Sequence, residues 1–214
     1  MCVIAVSKTG KRQPTEAELS AMFRRNPDGA GYMVARAGRV EIHKGFMLYS
    51  DFARAVKNEH FTEDDAVVYH FRISTQAGVN PEMTQPFPYS KDLRYMRALD
   101  VMNAKMGIAH NGIIPLTSDP AEKTYSDTAL FIARYLTRIV RYKHDIDSTE
   151  TQNVIECLIG YSKLAILTGD GGITTIGEFT EDNGILLSNT HHKLQPVPVR
   201  TYRPVENYKW QWEF

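Results

Sequence analysis

The chain has 214 residues, of which 43% are hydrophobic and 23% charged, proportions typical of a soluble globular protein with one sizeable core. Because 25 Lys and Arg residues balance 25 Asp and Glu residues, no net charge favours binding to nucleic acid or to an anionic membrane. The sequence shows neither the roughly 18 apolar residues that a membrane span needs nor the basic and apolar regions of a signal peptide.

The N-terminal residues Met1 to Val6 predict a buried strand, since an apolar and β-branched run follows Cys2. Cysteine is small enough for methionine aminopeptidase to remove Met1, which would leave a thiol and a free α-amine on one residue. That amine titrates near ~8 and can act as the base for its own thiol, as in N-terminal nucleophiles. Cys2 is therefore a candidate nucleophile; the alternative is a small buried hydrophobe at the start of a strand.

The first half of the chain predicts helices separated by antiparallel strands. A capping box over 15–18 begins a helix, which ends at the turn signal of residues 26–29. Strands on both sides of residues 37–38 form a hairpin, and a second helix follows over about 49–56. A strand from Ala66 to Ile73 is too apolar to have a solvent-facing side.

The second half begins with a polar, proline-rich connection over 74–92, and connections of that length are usually functional or mobile. A strand over 106–110 follows and ends in a turn. The remaining predicted elements are two helices, a hairpin, a strand and an extended tail, at residues 126–140, 149–159, 164–176, 185–188 and 196–214. Strands in hairpins, with helices between groups of strands, predict an α+β fold of antiparallel sheets covered by helices. Without a repeat or a linker, residues 1–214 are expected to form a single domain.

Five stretches carry residue types that suit one chemistry. In chain order they are Cys2, the glycine-bearing turn 26–31, the strand end 70–75 with Arg72, the strand end 110–114 with Asn111, and the helix start 126–128 with Asp127. Each also has a structural interpretation: Arg72 suits a buried ion pair, and Asp127 suits the first turn of a helix. Their occurrence together with Cys2 favours the functional interpretation.

This combination resembles the class II glutamine amidotransferase domain, a branch of the N-terminal nucleophile hydrolases, over nearly the whole chain. The resemblance implies a four-layer αββα sandwich of two antiparallel sheets flanked by helices. It also implies a glutaminase that hydrolyses L-glutamine to glutamate and ammonia. Since there is no room for a fused acceptor domain, we expect a stand-alone form that supplies ammonia to a separate synthetase or ligase.

The resemblance also implies roles for individual residues. Cys2 attacks the side-chain amide of glutamine, with its own α-amine as base and then as acid. The Asn111 side chain and the Gly112 N–H form the oxyanion hole. Arg72 binds the α-carboxylate of the substrate and Asp127 its α-ammonium. The residues implied to line the pocket are Thr75, Asp28, Gly29 and Gly31.

Two positions depart from the family pattern: Gln76 and Gln85 stand where many relatives have histidine. Both are expected to lie outside the core chemistry and to affect loop closure or glutamine affinity. The implied reaction uses no cofactor and no metal.

Two other functions stay open. One is a catalytically silent module that binds glutamine or another amino acid and acts through a protein partner. The other is an N-terminal nucleophile hydrolase for a different amide. Arg72 and Asp127 argue against the second, because an amide without an amino-acid head would leave both charges unpaired.

The other cysteine and two histidines are expected to be structural. Cys2 and Cys157 show neither a disulfide framework nor a metal-ligand spacing, which favours the reducing cytoplasm. Cys157 is predicted to lie on the side of a helix that faces the hydrophobic core. His70 and His110 are predicted to be core histidines with satisfied hydrogen bonds.

Overall fold

The computed structural model describes residues 1–74, 78–116 and 119–193. Its strands are β1 (Val3–Ser7), β2 (Ala30–Arg36), β3 (Arg39–Phe46), β4 (Val67–Phe71), β5 (Phe87–Pro88), β6 (Asp100–Ala104), β7 (Met106–Asn111), β8 (Lys163–Thr168), β9 (Ile173–Ile176), β10 (Thr180–Asp182) and β11 (Ile185–Leu187). Its α-helices are α1 (Glu16–Arg25), α2 (Tyr49–Glu59), α3 (Asp127–Phe131), α4 (Thr137–Ile139) and α5 (Thr149–Ile159). A π-helical turn, Ile132–Leu136, joins α3 to α4. Thr75, Gln76 and the tail over 196–214 lie outside the described residues.

The described strands form two antiparallel sheets. The first has seven strands in the order β10-β11-β1-β4-β2-β3-β6, and the second has four in the order β5-β7-β8-β9. Neighbouring strands are antiparallel in both sheets. The expectation of an α+β fold with antiparallel sheets is therefore confirmed.

Strand β1 lies inside the first sheet, between β11 and β4. All five of its residues are buried, as expected for an apolar run without alternation that is covered on both faces. Val3 lies opposite Phe71 of β4. Cys2 and Arg72, which flank this pair, are therefore brought to the same end of the sheet.

Three clusters of buried hydrophobic side chains hold these elements together. One joins the first sheet to α1 and α2 and includes Phe52. Another is built from residues of both sheets, such as Met33 and Leu167. A third joins the second sheet to α3 and α5 and includes Phe131 and Ile155. Burial of this apolar surface, at about 25 cal/mol per Å², is the main stabilising contribution.

Three local features differ from the sequence expectations. The pattern does not predict β10, and the connection over 78–92 contains a 3₁₀ turn at Pro81–Met83 as well as β5. Cys157 is exposed, so its prediction as a helix-core residue is wrong; α5 turns Ile155 and Ile159 inward instead.

Among the described residues, no helix has the length and apolar character that crossing a bilayer requires.

Candidate active site

Cys2 lies in the wall of a small polar cavity of about 30 Å³, together with Arg72, Gly112 and Asp127. The other lining residues are Ile73, Gln85, His110, Ser126 and Thr128. The wall is assembled from the ends of β1, β4 and β7 and from the start of α3. Four predicted site residues that are far apart in the sequence therefore meet around one space.

The thiol of Cys2 is held by the backbone of one neighbouring residue. Its Sγ donates to the carbonyl oxygen of Ile73 (3.5 Å) and accepts from the Ile73 N–H (3.4 Å). Burial raises the pKa of Cys2, whereas the Ile73 N–H, the chain's amino terminus and the charge of Arg72 act in the opposite direction. The thiol is thus protonated at neutral pH, and a nearby base is needed to make it a nucleophile.

Arg72 lies beside this thiol and is almost completely buried. Its Nη2 donates to the Ser74 hydroxyl (3.1 Å) and to the Gly78 carbonyl (2.8 Å). Burial lowers the pKa of Arg72, and interactions with the ionisable groups of Cys2, Asp28 and Asp127 oppose that effect. A guanidinium remains charged after such a shift, so it supplies a fixed positive charge to the cavity.

Asp127 is placed by the start of α3. The Ser126 hydroxyl caps this helix by accepting from the Ala129 N–H (3.2 Å). The Asp127 carboxylate accepts from the N–H groups of Ile114 and Thr128, both at 2.7 Å, and from the Thr128 hydroxyl at 3.3 Å. A carboxylate has about four acceptor positions, so this one retains capacity to bind an ammonium group.

The two predicted oxyanion-hole residues differ in their placement. Gly112 lines the cavity, and its φ of +144° suits glycine; a Cβ there would lie 2.2 Å from the Ser162 Oγ. Asn111 is not among the lining residues of this cavity. Its Nδ2 donates to the Ser188 Oγ (2.9 Å), which also accepts from the Ile4 N–H (2.9 Å). One of the two Nδ2 hydrogens therefore remains for another acceptor.

The predicted pocket residues of the 26–31 turn support the cavity without lining it. The Asp28 carboxylate accepts from the Ser74 N–H (2.8 Å) and so anchors the segment after Arg72. A Cβ on Gly29 or Gly31 would lie 2.5 or 2.4 Å from residues 84–85, so both glycines permit close approach of that segment. Thr75, the remaining predicted pocket residue, lies outside the described residues.

Two residues that the sequence analysis sets aside lie in the cavity wall. Gln85 accepts through Oε1 from the His110 N–H (2.7 Å), and His110 Nδ1 lies 2.8 Å from the Thr128 Oγ1. His110 Nε2 and His70 Nδ1 are buried, without a hydrogen-bond partner in the described part of the chain. The prediction of satisfied core histidines is therefore wrong for these two atoms. The position of His110, directly before Asn111, is the sequence signal that could have placed it here.

These two buried histidines are expected to make the fold sensitive to acid. Burial lowers the pKa of His70 to about 3 and that of His110 to about 4, whereas unfolded histidine titrates near ~6.5. Below that value the unfolded chain binds protons that the folded chain does not. The free energy of unfolding should therefore be highest above ~6.5 and fall toward the folded pKa values, by about 2 kcal/mol per histidine at pH ~5.

A His70→Gln variant tests this acid sensitivity. Urea denaturation at about pH 7.5 and 5 should show a smaller loss of stability for the variant than for the parent. His191→Gln is the matched control, since His191 is exposed and its replacement should leave the loss unchanged. An equal loss in the parent and in His70→Gln would contradict the prediction.

Cys2 also lines a second, larger pocket of about 410 Å³. This pocket lies on the side of Gly112 and Ile113, and its other lining residues are Met1, Ile73, Pro115, Ile159, Gly160, Tyr161 and Ser162. Its lining is mostly apolar and contains no charged side chain. The nucleophile candidate thus separates a small charged space from a larger apolar one.

No protein-family model matches this sequence, and no curated protein does. Among solved structures, the chain is similar to glutamine phosphoribosylpyrophosphate amidotransferase from B. subtilis, determined in complex with ADP and GMP. The sequence identity is 17% and the TM-score 0.49, over 79% of this chain and 35% of that enzyme. The chain therefore spans about a third of the length of that protein, and the likeness is distant.

Proposed function

We propose that this protein is a glutamine amidohydrolase that releases ammonia from L-glutamine through Cys2 after removal of Met1. One observation carries the proposal: the Cys2 thiol, the Arg72 guanidinium and the Asp127 carboxylate line the same cavity. A nucleophile between two opposite charges suits an amino acid, whose head group carries both an ammonium and a carboxylate. Each charged group then finds a partner of opposite sign.

The reaction follows from the groups at the Cys2 end of the cavity. The freed α-amine takes the thiol proton, and the thiolate attacks the carboxamide carbon of glutamine. The Gly112 N–H, with the spare Asn111 hydrogen, stabilises the tetrahedral oxyanion, and each such donor contributes about 3–4 kcal/mol. The protonated amine then gives its proton to the leaving nitrogen, which departs as ammonia. Water, deprotonated by the same amine, hydrolyses the thioester to glutamate and restores the thiol.

Binding requires the polar cavity to widen. Its volume of about 30 Å³ matches roughly one water molecule, which is less than an amino acid needs. Arg72 donates to the Gly78 carbonyl, and Asp127 accepts from the Ile114 N–H. Displacement of Gly78 and Ile114 from these two groups would widen the cavity. Both charged groups would then exchange a backbone partner for the substrate.

The finer features of the proposal concern the fold and the partner. The three hydrophobic clusters support a four-layer αββα arrangement, with α1 and α2 on one outside and α3 and α5 on the other. We expect residues 1–214 to act as one domain in the cytoplasm. The ammonia it releases would pass to a separate synthetase or ligase.

The first test is the intact mass of the full chain before and after exposure to 6-diazo-5-oxo-L-norleucine, an electrophilic glutamine analogue. Loss of the methionine mass and gain of one adduct would support a processed, glutamine-recognising nucleophile. Glutamate and ammonia release from glutamine should accompany the adduct. Retained Met1, without adduct or turnover, would instead favour a silent module that binds an amino acid and acts through a partner protein.

A second candidate function is favoured by the apolar pocket beside Cys2. Its lining by Ile73, Ile113, Pro115 and Ile159 would suit an amide whose acyl group is apolar rather than charged. Assaying simple aliphatic amides beside glutamine separates the two functions. Faster release of ammonia from the aliphatic amides would overturn the glutaminase proposal.

A further inference from the structure

A third pocket, of about 410 Å³, lies where β7 begins and β8 ends. Gly112, at the opposite end of β7, belongs to the candidate active site. The six residues of β7 separate Lys105, which lines the pocket, from Gly112, so these two residues lie about 20 Å apart. The pocket therefore has no wall in common with the cavity around Cys2.

The charge of this pocket is strongly one-sided. Four basic residues line it, namely Arg39, Lys105, Arg141 and Lys143, together with one acidic residue, Asp170. Asp170 is already paired with Lys143. The described contacts contain no ion pair or hydrogen bond from the side chains of the other three basic residues. The carboxylate of Asp145, which accepts from the Arg141 N–H, partly offsets the charge of Arg141. The positive charges around this one concavity still repel one another, and a bound anion would relieve that repulsion.

Hydrogen bonds hold in place the segments that carry the pocket side chains. The Tyr89 N–H donates to the Met106 carbonyl (2.9 Å), and its hydroxyl donates to the Val140 carbonyl. The N–H groups of Arg141 and Tyr142 both donate to one carboxylate oxygen of Asp145, at 2.7 and 2.8 Å. The same turn thus presents a guanidinium and an aromatic ring to the pocket.

Two aromatic rings lie beside these cations. Tyr89 and Tyr142 both line the pocket, and Tyr142 stacks on His144 with ring centroids 5.5 Å apart and an interplanar angle of 3°. Guanidinium groups form bidentate bonds with phosphate, and planar bases stack on aromatic faces. The volume also falls within the range of about 300–1,000 Å³ that is usual for small-molecule sites.

We propose that this pocket binds a small phosphorylated anion through Arg39, Lys105 and Arg141. The shared chemistry is a phosphate or diphosphate group. This group can belong to inorganic pyrophosphate or to a nucleotide whose base stacks on Tyr142. The site is independent of the proposed reaction at Cys2, and its test needs no enzymatic activity.

The experiment titrates the full chain by calorimetry with two probes, inorganic pyrophosphate and AMP. A triple variant, Arg39→Gln with Lys105→Gln and Arg141→Gln, should weaken the binding of either probe by about tenfold or more. The matched control replaces three exposed basic residues outside the pocket, Lys8, Arg24 and Lys91, by glutamine. It has the same net charge as the pocket variant and should bind like the parent.

The outcomes separate the two sources of phosphate and decide the proposal. Loss of AMP affinity in Tyr142→Ala, with pyrophosphate unaffected, identifies a nucleotide site. A site for the phosphate group alone is identified by two results together. Tyr142→Ala and the parent bind pyrophosphate equally, and the parent binds AMP no more tightly than it binds pyrophosphate. Absence of binding by both probes at millimolar concentration overturns the proposal. Binding that survives in the triple variant, or that the control variant loses equally, overturns it as well.

Discussion

Replacement of Cys2 by alanine is expected to lower kcat/KM for glutamine by at least about 10³-fold, because no other group can replace an attacking nucleophile. The structure explains why an unprocessed chain should be equally inactive. Burial raises the pKa of the Cys2 thiol, so little thiolate forms without an adjacent base. While Met1 remains attached, the nitrogen of Cys2 is an amide and cannot serve as that base.

The matched control is the other cysteine. Cys157 is exposed on α5, so Cys157→Ala should retain parental activity within about twofold and the adduct with the diazo analogue. Chains released by a protease to begin at Cys2 should be active, whereas chains that retain Met1 should not. Glutamine turnover by Cys2→Ala, or an adduct on Cys157 alone, would contradict this mechanism.

The elements that surround the site could be predicted because their signals are local. The run after Cys2 lacks polar alternation, and β1 is buried along its whole length. The capping box of α1 forms as expected, with the Thr15 N–H donating to Glu18 (2.7 Å). Strand β10 has no such signal. Its exposed residues Thr180 and Glu181 become a strand only by pairing with β11, and sequence patterns do not report pairing between segments.

The candidate site likewise combines residues that sequence motifs predict with contacts that they do not predict. Motif order identifies Cys2, Arg72 and Asp127, and the structure brings these three residues to one cavity. The contacts of Ser188 could not be predicted, since its hydroxyl links Asn111 to the Ile4 N–H across two sheets. Such contacts depend on how the sheets pack, and no short motif encodes that packing.

Replacement of Arg72 by lysine is expected to lower kcat/KM for glutamine by about 10²–10³-fold, since charge-assisted hydrogen bonds contribute about 1.5–3 kcal/mol each. Lysine keeps the positive charge but lacks the planar fork that pairs with a carboxylate at two points. A lower kcat/KM in Arg72→Lys does not by itself distinguish a lost contact with the substrate from a displaced segment of the protein. Arg72 also donates to Ser74 and Gly78, and a displaced segment would lower activity without any loss of substrate contact.

Two truncated substrates separate these explanations. In 4-aminobutanamide the α-carboxylate of glutamine is absent, so a carboxylate-binding Arg72 predicts that the parent and Arg72→Lys hydrolyse it at similar rates. Glutaramate keeps the carboxylate and lacks only the α-amine, so the 10²–10³-fold difference should persist with it. An equal loss on all three substrates would show that Arg72 acts only by holding Ser74 and Gly78 in place. The pattern across substrates therefore distinguishes binding from support, because a purely structural defect should not depend on which of the two α-substituents of the substrate is absent.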